Sequence, residues 1–269
     1  MSSQVVNSYR FKEPSPYIDG IGATGDGIVT WNTNRAPLRE AVQLASNLPA
    51  YSWHFATVGE DNYPTITTGF TENMGNKFSF SGWVKPTKAV SGMTWNPILG
   101  GKGLYDGDEE FNSYWVGYAP PQEGSFGGDS LGCKSLRTSG TAPATNSNNH
   151  VVYTVDGDAG EYYCWVNGTQ HSTATGTESA NTETQPLTVG TNHTSVAYDR
   201  WFYGNMQQYL YYNRVLTDAE VGLLYGSGNG IALPATSTTL QDGLRIYFDF
   251  QEENVGASGD MTIHNVAIP

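Results

Sequence analysis

The stretch YLYYNRVLTDAEVGLLYGSG, residues 209–228, joins a strand pattern to a helix with clear start and stop signals. Thr217 is a favourable N-cap, and Glu220 three residues later completes a capping box. Gly226 is suited to end the helix. The apolar face between these signals consists of Val221, Leu224 and Tyr225. Because a two-turn helix is marginal alone, we expect it to dock through this face on a larger structure.

The rest of the chain has the pattern of short β-strands. KFSFSGWVKPT, residues 77–87, alternates with period two, and NHVVYTVDGDAGEYYCWVNGTQ, residues 149–170, predicts a hairpin around DGDAG. Further strand candidates are GIVTW (27–31), YSWHFATV (51–58), YPTITTGF (63–70), ILGGKGLYD (98–106), SYWVGYAP (113–120), LGCKSLRT (131–138), PLTVGTN (186–192), WFYGNMQQYLYYNRV (201–215) and GLRIYFDF (243–250). This spacing predicts an all-β fold, an antiparallel two-sheet jelly-roll sandwich with one short capped helix.

Composition and charge exclude several classes of protein. The chain has 269 residues, only 13 Lys and Arg, and a formal net charge of -13, which argues against nucleic-acid partners. No apolar run reaches the roughly 20 residues needed to span a bilayer, so we expect no membrane insertion. MSSQVVNSYRFKEPSP, residues 1–16, lacks the features of a signal peptide.

Three regions differ in character along the chain. Residues 1–49 are predicted to be a loop-rich N-terminal arm, with one short helix in RAPLREAVQLAS, residues 35–46. Residues 50–228 carry most of the strand candidates and form the predicted sandwich. Residues 229–269 form a C-terminal extension that contains one more strand.

Five motifs occur in the order used by a known superfamily. They are FSFSGWVKPT, ILGGKG, NHVVYTVDGDAGEYYCWVNGT, LTVG and FYGNMQQYLYYNRVLTDAEVGLLYG. Together they resemble the laminin-G-like, concanavalin A-like lectin and glucanase superfamily, including domains of phage decoration and fibre proteins. The resemblance implies a concanavalin A-like sandwich with a helix docked after a long strand.

Two departures from that superfamily are informative. A strand motif that opens many relatives is similar here to GLRIYFDFQEENVGASGD, residues 243–260, near the end of the chain. We therefore predict that residues 244–250 pair within the sandwich and leave the arm free for other contacts. Gln207 and Gln208 stand where relatives commonly have acidic residues.

The chain lacks the paired carboxylates of the glycosidases in this superfamily. These enzymes place acidic residues at alternating positions of one strand, E-x-D-x-E, so that nucleophile and acid share a face. The five histidines are scattered without metal-ligand spacing. The sequence therefore predicts a protein that is not an enzyme.

One acidic turn is a candidate calcium site. DGDEE, residues 106–110, supplies hard oxygen ligands, and the resemblance implies a calcium ion at the rim of the sandwich. The alternative is a solvated acidic loop. The candidate ligands are Asp106, Asp108, Glu109 and Glu110. Cys133 and Cys164 are expected to be unpaired buried thiols, with a disulfide as the alternative.

Aromatic residues near loops are candidates for stacking on a sugar ring, and core packing is the alternative for each. The candidates are Trp95, Tyr105, Tyr114, Tyr198, Trp201 and Tyr203. Three tryptophans within strands, Trp83, Trp115 and Trp165, are expected in the core.

Two functions fit these features. The first is a non-enzymatic virion protein, a capsid-decoration or fibre component made in the host cytoplasm. Its arm would bind other virion proteins or identical subunits, and its loops would bind host-surface glycans. The second is a free carbohydrate-binding module or glycan-processing protein of a bacterium, for which a leader or paired carboxylates would be expected.

Overall fold

A computed structural model of the chain describes residues 27–31, 38–55, 65–68, 74–88, 96–102, 114–119, 130–133, 136–139, 143–175, 187–190, 202–231, 238–251 and 259–263. The strands are β1 Gly27–Trp31, β2 Leu38–Glu40, β3 Ser52–His54, β4 Thr65–Thr68, β5 Lys77–Pro86, β6 Asn96–Lys102, β7 Tyr114–Ala119, β8 Ser130–Cys133, β9 Leu136–Ser139, β10 Asn149–Asp156, β11 Glu161–Val166, β12 Thr169–Thr175, β13 Leu187–Val189, β14 Gly204–Tyr212, β15 Leu244–Phe248 and β16 Gly259–Ile263. The α-helices are α1 Asp218–Tyr225 and α2 Thr238–Gln241, and a short 3-10 helix, Gly226–Gly228, follows α1.

The strands form two antiparallel sheets, as the sequence predicts. Sheet A has the order β16-β1-β4-β13-β6-β7-β8-β9. Sheet B has the order β12-β11-β10-β5-β14-β3-β2, and β15 pairs with β14 beside this path. Edge strand β9 of sheet A lies against edge strand β12 of sheet B, so the two sheets approach each other on that side. The fold is an all-β two-sheet jelly-roll sandwich.

The main core lies between the two sheets. Sheet A contributes Ile66, Leu99 and Val189, while the middle strands of sheet B contribute large aromatic side chains such as Phe80 and Tyr211. The face of sheet B that points into this core is called its inner face, and the opposite face its outer face. Alternation along each strand then assigns the neighbouring residues to the outer face.

Helix α1 has the caps that the sequence predicts. The Thr217 hydroxyl accepts from the Glu220 backbone N–H, and the Glu220 carboxylate accepts in return from the N–H of Thr217. Gly226 follows in the left-handed region with φ 56°. Val221 and Leu224 are buried against the outer face of sheet B, and Tyr225 is half-buried. The expected docking of the helix is confirmed.

The structure of residues 27–49 differs from the predicted arm in two ways. The prediction of a helix in residues 35–46 is wrong, because Leu38–Glu40 is strand β2 and residues 41–50 contain no helix. Packing of Leu44 and Leu48 against Trp83 outweighs the local helical pattern.

The second difference is strand pairing. Strand β1 pairs with β4 and β16, and β2 pairs with β3. Those parts of the arm belong to the sheets and are not free.

The C-terminal region joins the sandwich. Leu244–Phe248 pairs with β14, which confirms the pairing that the sequence predicts for residues 244–250. Strands β12 and β16 and the one-turn helix α2 were not expected from the sequence pattern. LGCKSLRT forms two antiparallel strands, β8 and β9, instead of one, with Cys133 opposite Leu136.

Candidate functional site

The outer face of sheet B is covered over much of its area. Helices α1 and α2 bury an apolar cluster that includes Trp165, Leu210, Tyr212 and Leu240. Arg214 joins these helices, since its guanidinium binds Glu220 at 2.7 and 2.9 Å and donates to the Thr239 carbonyl. Trp165 thus packs under the helices, and the prediction that it is buried is confirmed. This part of the face is closed to a ligand.

Residues 41–51, called the strap, cover the middle of the same face. The buried amide of Gln207 holds the strap, because its oxygen accepts from the Leu44 N–H at 2.9 Å. Its nitrogen donates to the carbonyls of Pro49 and Tyr51, each at 2.6 Å. A β-bulge at Gln208, with φ 59°, adjoins this position. Gln208 in turn donates to the Ile231 carbonyl after α1.

Three aromatic rings, those of Trp83, His150 and Tyr225, pack against one another where the strap and α1 meet sheet B. The centroid of His150 lies 5.2 Å from that of Trp83 and 6.0 Å from that of Tyr225. Nε2 of His150 lies 2.9 Å from the Ser81 hydroxyl, and Nδ1 has no partner among the described residues. Burial lowers the pKa of His150 from 6.5 to about 3. Trp83 is buried, as predicted.

The neutral state of His150 predicts a specific pH dependence of stability. The pKa is lower in the folded chain, so stability is complete above pH 6.5 and falls as the pH drops toward 3, where the unfolded chain binds a proton and the folded chain does not. We expect a loss of up to ~1.4 kcal/mol per pH unit in that window. Urea unfolding of the wild type and His150→Phe between pH 4 and 8 measures this loss. Parallel stability profiles for the two proteins would contradict it.

At the other end of the outer face lies a polar cluster of Glu40, Ser52, His54 and Asn205. Trp53 and Met206 point into the core, so Ser52, His54 and Asn205 project from the outer face by alternation. The pairings β2 to β3 and β3 to β14 place these strands side by side. The sheet thus brings together side chains from the arm and from the sandwich.

Hydrogen bonds fix the geometry of the polar cluster. The Asn205 amide nitrogen donates to Glu40 Oε2 at 2.8 Å and to the Ser52 hydroxyl at 3.2 Å. His54 Nδ1 lies 3.5 Å from Asn205 Oδ1 and 4.0 Å from Glu40 Oε2. Ser52 and Asn205 are buried, while the side chains of Glu40 and His54 remain 37% and 16% exposed. The cluster therefore combines a rigid buried base with two side chains that reach solvent.

Most predicted site residues lie outside the described part of the chain. These are Trp95, Tyr105, Tyr198, Trp201, Asp106, Asp108, Glu109 and Glu110, together with the side chain of Tyr114. The side chain of Trp115, which is expected in the core, also lies outside the described part. Tyr203 is described and is only 3% exposed, with the Lys88 ammonium 4.4 Å from its ring centroid. It does not present the open ring that stacking on a sugar requires.

Of the predicted metal-ligating and thiol groups, Cys164 is the one whose side chain the structure describes. Among the residues that the structure describes, His, Cys, Asp and Glu do not gather in groups that could hold a metal ion. The calcium site remains a prediction. Cys164 is a buried free thiol whose pKa is raised by burial, as the interpretation of an unpaired cysteine requires. The side chain of Cys133 is outside the described part.

Sequence reasoning missed the polar cluster. Glu40 and Asn205 are 165 positions apart, and Ser52 and Asn205 are 153 positions apart. In the sequence, His54 is one of five scattered histidines. A signal was present in YSWHF, residues 51–55, where polar Ser52 and His54 flank a buried tryptophan. Alternation could have placed those two on one face, although nothing local identifies their partners.

Comparison with known proteins places the chain in a family. A laminin-G family profile described as the concanavalin A-like lectin/glucanases superfamily matches residues 58–222, more than half of the chain. The chain therefore belongs to the concanavalin A-like lectin/glucanases superfamily. A search of curated protein sequences finds no match.

Solved structures with similar folds include proteins of several kinds. The enzymatically active domain of tailspike protein 2 of bacteriophage CBA120 aligns with a TM-score of 0.53 and 11% identity, covering 87% of this chain and 34% of that one. Domain 4 of AbnA, a GH43 extracellular arabinanase from Geobacillus stearothermophilus in complex with arabinotriose, aligns with a TM-score of 0.47 and 19% identity, covering 72% and 85%. A heptameric SAP-like pentraxin from Limulus polyphemus aligns with a TM-score of 0.44 and 14% identity, covering 89% and 95%.

These likenesses concern the fold alone. The chain spans about a third of the tailspike chain, so a shared sandwich does not extend to the whole tailspike. Within the described ranges, no helix has the length and apolar character needed to cross a bilayer.

Proposed function

We propose that the chain is a non-enzymatic adhesion module of a virus particle, a fibre or capsid-decoration component that binds host-surface glycans. The observation that carries the proposal is the polar cluster of Glu40, Ser52, His54 and Asn205, because it reaches solvent beside a closed apolar face. Sugar hydroxyls are bound by convergent polar side chains of this kind. Superfamily membership and the fold shared with a phage tailspike domain support the same assignment.

The composition of the cluster favours binding over hydrolysis. Glycoside hydrolysis normally uses two carboxyl groups that flank the scissile bond, about 5 to 9.5 Å apart. The cluster contains a single carboxylate, that of Glu40, and its Oε2 accepts from Asn205. A buried amide that holds the carboxylate in place suits a rigid binding surface. We therefore assign the cluster to recognition.

A role in the particle also needs an attachment segment. We propose that residues 1–26, which precede β1, bind other virion proteins or identical subunits. The described sandwich begins at Gly27, so this segment can be removed without deleting a described strand. A calcium ion bound by residues 106–110 belongs to the same proposal, as a stabiliser of the rim of the sandwich.

Removal of residues 1–26 tests the two parts of the proposal separately. We expect the shortened protein to keep its unfolding temperature and its affinity for immobilised oligosaccharides, and to lose incorporation into particles. Binding is measured by surface plasmon resonance, and incorporation by sedimentation with purified particles. If the chain of residues 1–269 binds none of the oligosaccharides, or releases reducing sugar from them, the adhesion assignment is overturned in favour of another function.

A further inference from the structure

The strap and the polar cluster share a base. Residues 41–51 connect β2 to β3, so Glu40 comes directly before the strap and Ser52 directly after it. These two residues also lie opposite each other in the pairing of β2 with β3. Asn205 binds both, through Glu40 Oε2 at 2.8 Å and the Ser52 hydroxyl at 3.2 Å. The position of the strap therefore sets where Glu40 and Ser52 lie relative to Asn205.

Asn205 and Gln207 hold this loop from the same strand. They lie two positions apart on β14 with Met206, a core residue, between them, so both project from the outer face. Asn205 binds the two ends of the loop, whereas Gln207 binds the strap backbone through one N–H and two carbonyls. The strand pairing at the cluster is short, since β3 faces β14 at two residue pairs and β2 faces β3 at three. Pairing of this length is weak without further contacts, so the strap also supports the cluster.

The tip of the strap is held beyond the end of helix α1. The Asn47 N–H donates to the Asn229 carbonyl at 2.8 Å, and the Asn47 amide nitrogen donates to the Gly230 carbonyl at 3.2 Å. A Cβ atom added to Gly230 would lie 3.0 Å from Leu48 Cγ and 3.1 Å from Ala45 Cβ. A substitution at Gly230 can thus push on the strap from a segment that supplies no residue to the polar cluster.

We propose that the strap is a conformational latch for the polar cluster, such that ligand binds when the strap is closed on Gln207 and is released when the strap opens. This inference rests on the proposed glycan-binding function and names the regulation of that site. In the closed state Asn205 holds Glu40 and Ser52, and in the open state their carboxylate and hydroxyl lose this fixed geometry. Gln207 is a positioning residue, since it acts on the ligand through Glu40 and Ser52.

The coupling is reciprocal, which gives a first readout. A ligand that binds only the closed state slows the amide exchange that depends on strap opening, by about a hundredfold when its free concentration is a hundred times Kd. The Leu44 N–H, which donates to Gln207 Oε1, reports this opening in hydrogen–deuterium exchange followed by NMR. The probe is the tightest-binding member of a panel of glucose, galactose and N-acetylglucosamine oligomers and sialyllactose. A strap that is only a structural cover would exchange at the same rate with and without this oligosaccharide.

Two alanine variants in one loop test the coupling from a distance. Gly230→Ala pushes against the strap, whereas Gly226→Ala, with φ 56° against 67°, places its Cβ 4.0 Å from the nearest atom, the Ile231 nitrogen. We expect Gly230→Ala to exchange faster across residues 38–54 and to bind roughly threefold to tenfold more weakly, because apparent affinity falls with the closed fraction. Gly226→Ala should bind as the wild type does. Gln207→Ala, which removes the latch itself, should bind about tenfold more weakly or worse.

Thermal unfolding shows whether each variant folds. If Gly230→Ala does not fold, Asn47→Ala loosens the same contact from the side of the strap, because it removes the amide that donates to the Gly230 carbonyl. The same changes in exchange and affinity are then expected for Asn47→Ala.

The outcomes separate this inference from the proposed function. Weaker binding in Gly230→Ala than in Gly226→Ala, together with slower strap exchange in the presence of the oligosaccharide, supports both. Faster strap exchange with unchanged affinity in Gly230→Ala and Gln207→Ala overturns the latch and leaves glycan binding intact.

Exchange in Gly230→Ala decides the coupling even if no member of the panel binds, an outcome that overturns the proposed function. Faster exchange at residues 38–40 and 52–54 together with 41–51 supports the coupling of the strap to the cluster. Faster exchange at residues 41–51 alone, or unchanged exchange in both Gly230→Ala and Gln207→Ala, overturns it.

Discussion

Replacement of Gly204 with alanine is expected to destabilise the protein by roughly 3 to 5 kcal/mol, as the sum of backbone strain and steric overlap. Gly204 begins β14 with φ 137°, a conformation that essentially only glycine adopts. A Cβ atom there would overlap the carbonyl oxygen of Lys85 and lie 3.0 Å from Pro86 Cα on the neighbouring strand. The Gly204 carbonyl also accepts from the Phe55 N–H, so displacement of this residue disturbs β3 as well.

Urea unfolding of Gly204→Ala gives this value, and Gly222→Ala is its matched control. Gly222 lies on the exposed side of α1, where a Cβ atom meets nothing within 4 Å. The same substitution should therefore stabilise the protein there, by about 0.5 to 1 kcal/mol, because alanine favours the helix. Equal effects at the two positions would show that the backbone at Gly204 is not constrained as described.

Gln207→Ala is expected to lower stability by about 3 to 5 kcal/mol, because each buried group that loses its partner costs about 1 to 3 kcal/mol. The substitution removes three bonds, from the Leu44 N–H and to the carbonyls of Pro49 and Tyr51. These bonds fasten both ends of the strap to β14. We therefore expect faster amide hydrogen exchange across residues 41–51. Urea unfolding measures the loss of stability, and hydrogen–deuterium exchange measures the opening of the strap.

The control for this prediction is Gln43→Ala within the strap itself. Gln43 is exposed and donates to the carbonyls of Ser46 and Leu48, which water can satisfy after the substitution. Its effect should be below about 1 kcal/mol. A similar loss for both variants, or unchanged exchange in Gln207→Ala, would mean that the buried amide does not hold the strap.

Structural features that depend on a few neighbouring residues could be predicted from the sequence. The caps at Thr217, Glu220 and Gly226 act within a few residues, so helix α1 was predicted with its boundaries. The hairpin of β10 and β11 follows from a turn-forming loop between two apolar runs. The order of motifs then identified the superfamily, which the family profile confirms.

Features that depend on distant packing were not predictable in this way. Residues 35–46 have helical spacing, yet Leu44 and Leu48 pack on Trp83, and this tertiary contact decides the structure. In β14, Met206 and Tyr209 both enter the core although they are three positions apart. Strict alternation forbids this, and the bulge at Gln208 permits it. The polar cluster depends on the same long-range pairing of β2, β3 and β14.

The pairing of β1 with β16 has a mechanical consequence. Gly27 lies opposite Ile263 and Trp31 opposite Gly259, so the segments before β1 and after β16 leave the sandwich at the same corner. A pulling force applied between these two segments would stretch the hydrogen bonds of the pair one after another, as in opening a zipper. A force applied at residue 27 along the axis of β1 would instead load its bonds to β4 and β16 together. A sandwich pulled along β1 would therefore resist opening better than one stretched between its two ends.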